Sequence, residues 1–135
     1  MMNAVDLGID IIEIQRVASA IGRNPRMLQR LFTEAELADY RSRGSRMETL
    51  AGKFAAKEAA VKALGTGLRG FRWTDVEILP DERGKPCCRL SGEARQAADR
   101  AGIAVVLVSV SHNRTLAIAN ALAIRKEHTD EAGNQ

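Results

Sequence analysis

The segment Met47–Leu64, METLAGKFAAKEAAVKAL, is the strongest helix-forming stretch of the sequence. Alanine, leucine, lysine and glutamate, which favour helices, supply most of its residues. Gly65 follows at once, where a left-handed residue commonly ends a helix. The segment therefore predicts one long helix, and the rest of the chain can be arranged around it.

Upstream of this helix, the patterns predict one strand and two shorter helices. Isoleucine and other β-branched residues dominate residues 5–14 and indicate a buried strand. Residues 18–31 have helical spacing, although Gly22 and Pro25 divide them. Thr33 and Glu36 form a capping box, which predicts a helix running to about residue 41.

Downstream, the patterns alternate between strands and one more helix. We expect strands at residues 73–79, Pro86–Leu90, 103–110 and 115–124, and a helix over residues 91–101. This order predicts an α+β class domain over residues 1–124, with mixed helices packed on an antiparallel sheet. Residues 125–135 are polar and are expected to form a disordered tail.

The composition excludes several classes of protein. Apolar residues make up 45% and charged residues 27% of the 135 residues, which is typical of a globular domain. The longest apolar run, residues 103–108, is far shorter than the roughly twenty residues of a membrane span. Cys87 and Cys88 are adjacent, so we expect neither a disulfide framework nor a zinc site. With no signal-peptide pattern at the start, the sequence indicates a cytoplasmic protein.

The net charge of +3 comes from one short stretch. Residues 15–30 contain four arginines and no acid, while the remaining sixteen basic and seventeen acidic side chains nearly cancel. Such a stretch fits an acidic partner, and it fits a solvated helix face about as well. A nucleic-acid-binding domain is not expected, because only five aromatic residues are present for base stacking.

Asp10 is the first candidate functional residue, because it lies inside the apolar run of residues 7–12. A carboxylate buried without a partner costs several kcal/mol, so Asp10 needs a cation, a metal ion or hydrogen-bond donors nearby. The alternative is a strand-end position that faces water.

Glu58 and Lys62 are the second candidate pair, since their spacing places them on one face of the long helix. A solvent-exposed ion pair is the ordinary explanation of that spacing. Gly65, Thr66 and Gly67 could bring backbone N–H groups to a phosphate, or simply form a helix cap and turn. Ser109, Ser111 and His112 close a predicted hairpin, without the acidic residue of a hydrolase triad.

In this order and spacing, the motifs resemble the holo-[acyl-carrier-protein] synthase family, the short 4′-phosphopantetheinyl transferases. The resemblance covers residues 5–123. The first matching motif is Gly8-Ile9-Asp10, followed by Arg16. The second is the helix with Phe54, Lys57-Glu58-Ala59 and Lys62, followed by Gly65-Thr66-Gly67. The third consists of Ser109, Ser111 and His112.

The resemblance implies transfer of the phosphopantetheine arm from coenzyme A to a serine of apo-acyl carrier protein, with release of adenosine 3′,5′-bisphosphate. It implies that Asp10 and Glu58 ligate Mg²⁺ and that Lys62 stabilises phosphate charge. The identity of the general base stays open.

The resemblance also implies a set of binding residues and an assembly. Arg46, Lys53 and Lys57 are candidates for the 3′-phosphate, Gly65, Thr66 and Gly67 for other coenzyme A phosphates, Pro86 for the adenine or pantetheine path, and Ser109, Ser111 and His112 for the nucleotide. Arg16, Arg23, Arg26 and Met27 would dock the acidic carrier protein. The short members of the family form homotrimers, which predicts a site shared between subunits.

One rival hypothesis is a catalytically silent module that binds the carrier protein and keeps the fold. The presence of Asp10, Glu58 and Lys62 argues against it, because a silent module has no reason to keep a buried acid.

Overall fold

The protein has an α+β fold, as predicted. A computed structural model describes residues 4–65 and 69–127. In chain order the elements are β1 (Ala4–Glu13), α1 (Ile14–Arg23), α2 (Met27–Leu31), α3 (Glu34–Ser42), α4 (Met47–Leu64), a 3₁₀ turn (Trp73–Asp75), β2 (Val76–Pro80), β3 (Pro86–Leu90), α5 (Gly92–Arg100), β4 (Ile103–His112) and β5 (Leu116–Arg125).

The strands form two antiparallel sheets instead of the single sheet that the sequence predicts. One sheet has the order β1-β5-β4, and β2 and β3 pair separately as a hairpin. The strand β5 lies in the middle, with Ala119 opposite both Asp10 of β1 and Val110 of β4. The register therefore fixes which residues of the N-terminal and C-terminal strands share a face.

The helix α4 packs on the inner face of the three-stranded sheet. Its alanines at positions 55, 56, 59, 60 and 63 are buried against β4 and β5. Gly8 lets α4 approach β1 closely, because a Cβ there would overlap the carbonyl oxygen of Ala59 and lie 2.9 Å from the nitrogen of Ala63. Small residues on both elements thus set the distance between helix and strand.

A second core forms where α2, α3 and the N-terminal half of α4 meet. It is built around Leu31, Phe32, Leu37 and Leu50. The predicted capping box of α3 is present, because Thr33 Oγ1 accepts the N–H of Glu36 and Glu36 Oε1 accepts the N–H of Thr33 at 2.8 Å. This cap fixes the position of the Glu36 carboxylate.

The outer face of the three-stranded sheet is apolar and exposed. Leu7, Ile9 and Ile11 of β1 are 59–69% exposed, and Leu107 of β4 is 50% exposed. Val5, Val105 and Ile118 extend the same apolar face. Solvated β-sheet faces normally carry polar side chains, so this face is suited to contact with another protein surface.

The last strand extends past residue 124, where the sequence predicts that the domain ends. It includes Arg125, and the N–H of Lys126 donates to the carbonyl of Gly102 at 2.8 Å. Within residues 4–65 and 69–127, no helix is both long enough and apolar enough to cross a membrane.

Candidate functional site

Asp10, Glu58 and Lys62 come together where β1 meets α4. Lys62 Nζ lies 3.2 Å from Asp10 Oδ1 and donates to the carbonyl of Ile9 at 2.9 Å. The Asp10 side chain is 17% exposed and that of Lys62 is 53% exposed. Asp10 therefore has the cationic partner that its burial requires, and the lysine reaches it from the rim of the site.

Glu58 is the half-buried member of this group. Burial raises the pKa of its carboxyl, and the negative charge of Asp10 raises it further, while Lys62 opposes both effects. Two carboxylates close enough to repel each other favour a cation between them. The local electrostatics therefore distinguish Glu58 from an ordinary surface glutamate.

The side chains of Asp10 and Glu58 fit a hard divalent cation that takes only some of its ligands from the protein. Both candidate ligands are carboxylates, which Mg²⁺ prefers. Across the part of the chain that the structure describes, no three His, Cys, Asp or Glu side chains converge as a metal cluster. Magnesium commonly takes one or two carboxylates and completes its shell with water and substrate phosphates, which matches this arrangement.

An open groove of about 320 Å³ extends from these carboxylates along α1 and α2. We call it the carboxylate groove. Asp10 and Glu58 lie in its lining, and Val17, Met27, Leu31 and Phe54 contribute apolar wall. One exposed cation, Arg16, lines it as well, and its Nη1 lies 3.6 Å from Glu13 Oε1.

The other arginines of the predicted docking stretch lie close by on the surface. Arg16 and Arg23 line a shallow depression on α1 together with Ser19. Arg26 is exposed in the turn between α1 and α2. The structure thus brings Arg16 and Met27 to the groove of the carboxylates and Arg23 next to Arg16, while Arg26 is exposed beside Met27 in sequence.

A second cleft of about 160 Å³ lies between α4 and the hairpin of β2 and β3. We call it the α4–β2 cleft. Lys53, Pro86 and His112, which are far apart in sequence, all line it. Arg46 is exposed at the N-terminal end of α4 and is not part of this lining.

Asp39 of α3 and Arg43, the residue that follows α3, also line the α4–β2 cleft, and sequence reasoning missed both of them. Lys53 Nζ lies 2.8 Å from Asp39 Oδ2 and donates to the carbonyl of Ile78 at 3.0 Å. Arg43 Nε lies 3.1 Å from Asp39 Oδ1. The only signal in the sequence was the four-residue spacing of Asp39 and Arg43, which also fits an ordinary surface pair.

Lys57 does not reach either cleft, which corrects the expectation that it binds a phosphate. Its side chain is fully buried, and Lys57 Nζ lies 2.8 Å from Oε1 of the equally buried Glu36. Lys57 Nζ also donates to the carbonyls of Trp73 and Val76. Glu36 accepts the N–H of Ile78 at 2.7 Å. The ammonium has no free direction for a ligand, so the pair joins α3, α4 and β2.

The serines and the histidine of the hairpin point to different faces of the sheet. Ser109 and Ser111 lie on the outer face with Ile9, Ile118 and Asn120, around a small depression of about 110 Å³. His112, the next residue in β4, faces the α4–β2 cleft instead. Side chains alternate along a strand, so these three candidates cannot contact one ligand from the same direction.

The glycine turn after α4 is described only at its start. Gly65 ends the helix with φ of 87°, and its N–H donates to the carbonyl of Lys62. With ψ of −171° this conformation lies outside the left-handed helical region, so a glycine ends the helix as predicted but not with the left-handed cap. Thr66 and Gly67 lie outside the described residues.

The predicted site residues therefore fall on two sides of α4. Glu58 faces the carboxylate groove and Lys53 faces the α4–β2 cleft. Five residues of α-helix separate them, which corresponds to about 140° around the axis and ~7.5 Å along it. The helix itself stands between the two halves of the site in a single copy of the chain.

The sequence matches one protein family along most of its length. The family model described as the 4′-phosphopantetheinyl transferase superfamily matches residues 6–119. A holo-[acyl-carrier-protein] synthase of Alkaliphilus oremlandii is 48% identical over 118 residues, which cover 87% of this chain and 97% of the relative. One from Thermoanaerobacter sp. is 43% identical over 126 residues, covering 93% and 91%.

Solved structures with the same fold include synthases from three further bacteria. The holo-[acyl-carrier-protein] synthase of Neisseria meningitidis matches with a TM-score of 0.82 at 29% identity, covering 93% of this chain and all of the other. The Bacillus anthracis synthase, solved with CoA (3′,5′-ADP), gives 0.73 at 34% identity and covers 91% and 98%. The Helicobacter pylori synthase, solved with coenzyme A, gives 0.76 at 28% identity and covers 87% and 98%.

Proposed function

Since the chain belongs to the holo-[acyl-carrier-protein] synthase family of the 4′-phosphopantetheinyl transferase superfamily, we propose that it moves the phosphopantetheine arm of coenzyme A onto a serine of an apo-acyl carrier protein. The chain is a transferase of this family. The proposed second product is adenosine 3′,5′-bisphosphate. The observation that carries the proposal is the meeting of Asp10, Glu58 and Lys62 at an open groove.

Asp10 and Glu58 would hold Mg²⁺ in the working enzyme. The raised pKa of Glu58 and the neighbouring negative charge of Asp10 support a cation at this point. When bound, the ion would neutralise the pyrophosphate of coenzyme A and make the phosphorus atom more open to attack.

Lys62 would stabilise the charge that develops on the transferred phosphate. Its ammonium has three donors, of which two are held by Ile9 and Asp10, so one remains for a phosphate oxygen. The serine oxygen of the carrier protein attacks the phosphorus next to the pantetheine arm, and the bond to the second phosphate breaks. A fixed ammonium beside that bond lowers the barrier without having to reorganise.

Arg16, Arg23 and Arg26 would attract the acidic carrier protein, and Met27 would give it an adaptable apolar contact. The arginines support this role because Arg16 lines the carboxylate groove and Arg23 lies next to Arg16. Surface charges of this kind act mainly on the association rate, which falls as salt is added.

The coenzyme A site would be shared between two copies of the chain in a homotrimer. In this proposal one copy supplies Asp10, Glu58 and Lys62, and its neighbour supplies Lys53, Pro86 and His112 from the α4–β2 cleft. The position of α4 between the two halves supports this sharing. The exposed apolar face of β1 and β4 supports self-association, because burying it would gain hydrophobic free energy. We assign the transferase domain to residues 1–124, with its last strand continuing by one residue to Arg125, and we assign the enzyme to the cytoplasm.

The direct test is to incubate the chain with coenzyme A, Mg²⁺ and an apo-acyl carrier protein and to follow the carrier by intact-mass spectrometry. We expect a gain of one phosphopantetheine arm per carrier, lost when the serine is replaced by alanine. No gain with several unrelated carriers would reject transfer and favour the silent binding module.

A further inference from the structure

The α4–β2 cleft contains an acid where a phosphate-binding site would be expected to hold only cations. Asp39 and Glu48 line it together with Lys53, Arg43 and His112. With His112 neutral, the two acids balance the two permanent cations. The cleft therefore has little net charge of its own, and any attraction for a phosphate depends on how the cations are held.

Lys53 is nearly sealed from water, with 7% of its side chain exposed. Burying an ammonium at such a position costs free energy unless a counter-charge lies close by. Asp39 is that counter-charge, at 2.8 Å. Partial burial pushes the pKa of Asp39 up, but hydrogen bonding and charge from Lys53, with the charge of Arg43, outweigh it and hold the pKa below its usual value.

The geometry around the ammonium also fixes its direction. Two of its three donors are committed, one toward the carbonyl of Ile78 and one toward Asp39 Oδ2. That oxygen is itself shielded from solvent, so the ion pair with Lys53 is what offsets its burial. The other oxygen, Oδ1, holds Arg43 Nε at 3.1 Å.

We propose that Asp39 is a positioning residue that pairs with Lys53 and aims both Lys53 and Arg43 at a phosphate of the nucleotide in the α4–β2 cleft. This inference rests on the proposed function, since it takes the 3′-phosphate of coenzyme A to bind there. Arg43 is thereby a second phosphate ligand, and its 46% exposed side chain can reach the cleft mouth without leaving Asp39. Asp39 touches neither the reacting phosphorus nor the carrier protein.

The test compares the steady-state kinetics of full-length variants with coenzyme A and with 3′-dephospho-coenzyme A. For Asp39→Asn we expect the KM for coenzyme A to rise about tenfold, because a charged hydrogen-bonding partner of the ligand-binding ammonium is lost. The kcat and the KM for carrier protein should not change. With 3′-dephospho-coenzyme A the variant should match the wild type.

Lys53→Met provides the second arm of the test. It should reduce the preference for coenzyme A over its dephospho form, and adding Asp39→Asn to it should raise the KM for coenzyme A by less than Asp39→Asn does alone, because only the contribution of Arg43 remains to be lost. Asp39→Glu, which keeps the charge, should recover part of the affinity. Asp99→Asn is the matched control, because Asp99 also pairs with two cations, Arg95 and Lys126, on an exposed surface. Asp99→Asn should leave kcat and the KM values for coenzyme A, its dephospho form and the carrier protein unchanged.

Three results would overturn the inference. One is an unchanged or lower KM for coenzyme A in Asp39→Asn, which would make Asp39 a bystander or a repulsive charge. Another is additivity of the two substitutions. The last is an undiminished preference for coenzyme A in Lys53→Met, which would remove the phosphate from this cleft. None of these would remove transfer by the wild-type chain, so failure of the inference is distinguishable from failure of the proposed function.

Discussion

Glu58 shows at the scale of one residue how function and stability oppose each other. Its carboxylate is half-buried beside Asp10, and its pKa is raised by burial first and by that neighbouring charge second. A raised pKa in the folded state means that ionising Glu58 costs stability, and this cost appears as the pH rises through the folded-state pKa.

We therefore expect Glu58→Gln to stabilise the protein while stopping transfer. Without divalent metal at neutral pH, its melting temperature should exceed that of the wild type, because glutamine cannot ionise. The difference should vanish below pH 4.5, the pKa of an unperturbed glutamate, where both side chains are neutral. Differential scanning fluorimetry across pH measures it.

Glu82→Gln, at an exposed turn position, is the control for Glu58→Gln. It should change neither the melting temperature nor the transfer activity. A Glu58→Gln variant that melts below the wild type in metal-free buffer would contradict the electrostatic account of the site.

At this scale the family resemblance implied the meeting of Asp10 with Glu58 and Lys62, but it did not give the role of Lys57. The spacing of Glu58 and Lys62 fixes a shared helix face, and the apolar surroundings of Asp10 demand a partner. Lys53, Lys57 and Lys62 are all lysines of one helix, and which of them pairs with Glu36 depends on how α3 packs. No local pattern contains that information.

At the scale of elements, the packing of β1 against α4 sets the geometry of the site. Asp10 lies on the strand and Glu58 on the helix, so their separation is set by how closely the two elements pack. Gly8 permits this packing, because any side chain there would enter the backbone of α4 at Ala59 and Ala63.

Gly8→Ala should push α4 away from β1 and separate the carboxylates. We expect a loss of stability of ~1–3 kcal/mol or more, as in other overpacked cores, together with a large loss of transfer activity. Urea denaturation and the intact-mass assay measure the two effects.

Gly22→Ala serves as the matched control for Gly8→Ala. A Cβ at Gly22 in α1 meets nothing within 4 Å, so alanine should raise stability by up to about 1 kcal/mol through helix propensity. Wild-type stability and activity in Gly8→Ala would show that the close packing of β1 on α4 is not required.

Most elements could be predicted from their own residues, and the exceptions have physical causes. The bounds of α4 agree with the prediction because strong helix formers end at a glycine cap. The predicted strand at residues 73–79 instead begins with a 3₁₀ turn, where Trp73 packs edge-on against Phe54 and Phe71 at 5.2 and 5.0 Å. The helix α1 starts at Ile14 rather than residue 18, because it follows β1 without a loop.

At the scale of the whole molecule, the residues proposed to bind one ligand line two separate clefts. The family resemblance could collect Glu58, Lys53 and His112 into one candidate site, but could not show that α4 divides them. That division depends on which face of the helix each cleft occupies. The exposed apolar face of β1 was equally hidden, since a strand buried on both faces has the same composition.

The central claim is that one working site is built from two copies of the chain, and subunit complementation tests it most directly. Glu58→Gln removes a group from the carboxylate groove, and Lys53→Met removes one from the α4–β2 cleft. In a cyclic trimer that contains both variants, one of the three interfaces would combine an intact groove with an intact cleft.

We would measure the gain in mass of the carrier protein, at a coenzyme A concentration well below the KM of the Lys53→Met variant for coenzyme A. The two variants are co-expressed with different affinity tags and purified through both, so that every assembly counted contains both chains. We predict transfer well above the sum of the two variants assayed separately. Mixed assemblies no more active than that sum, or a chain that runs as a monomer on sizing, would contradict the shared site.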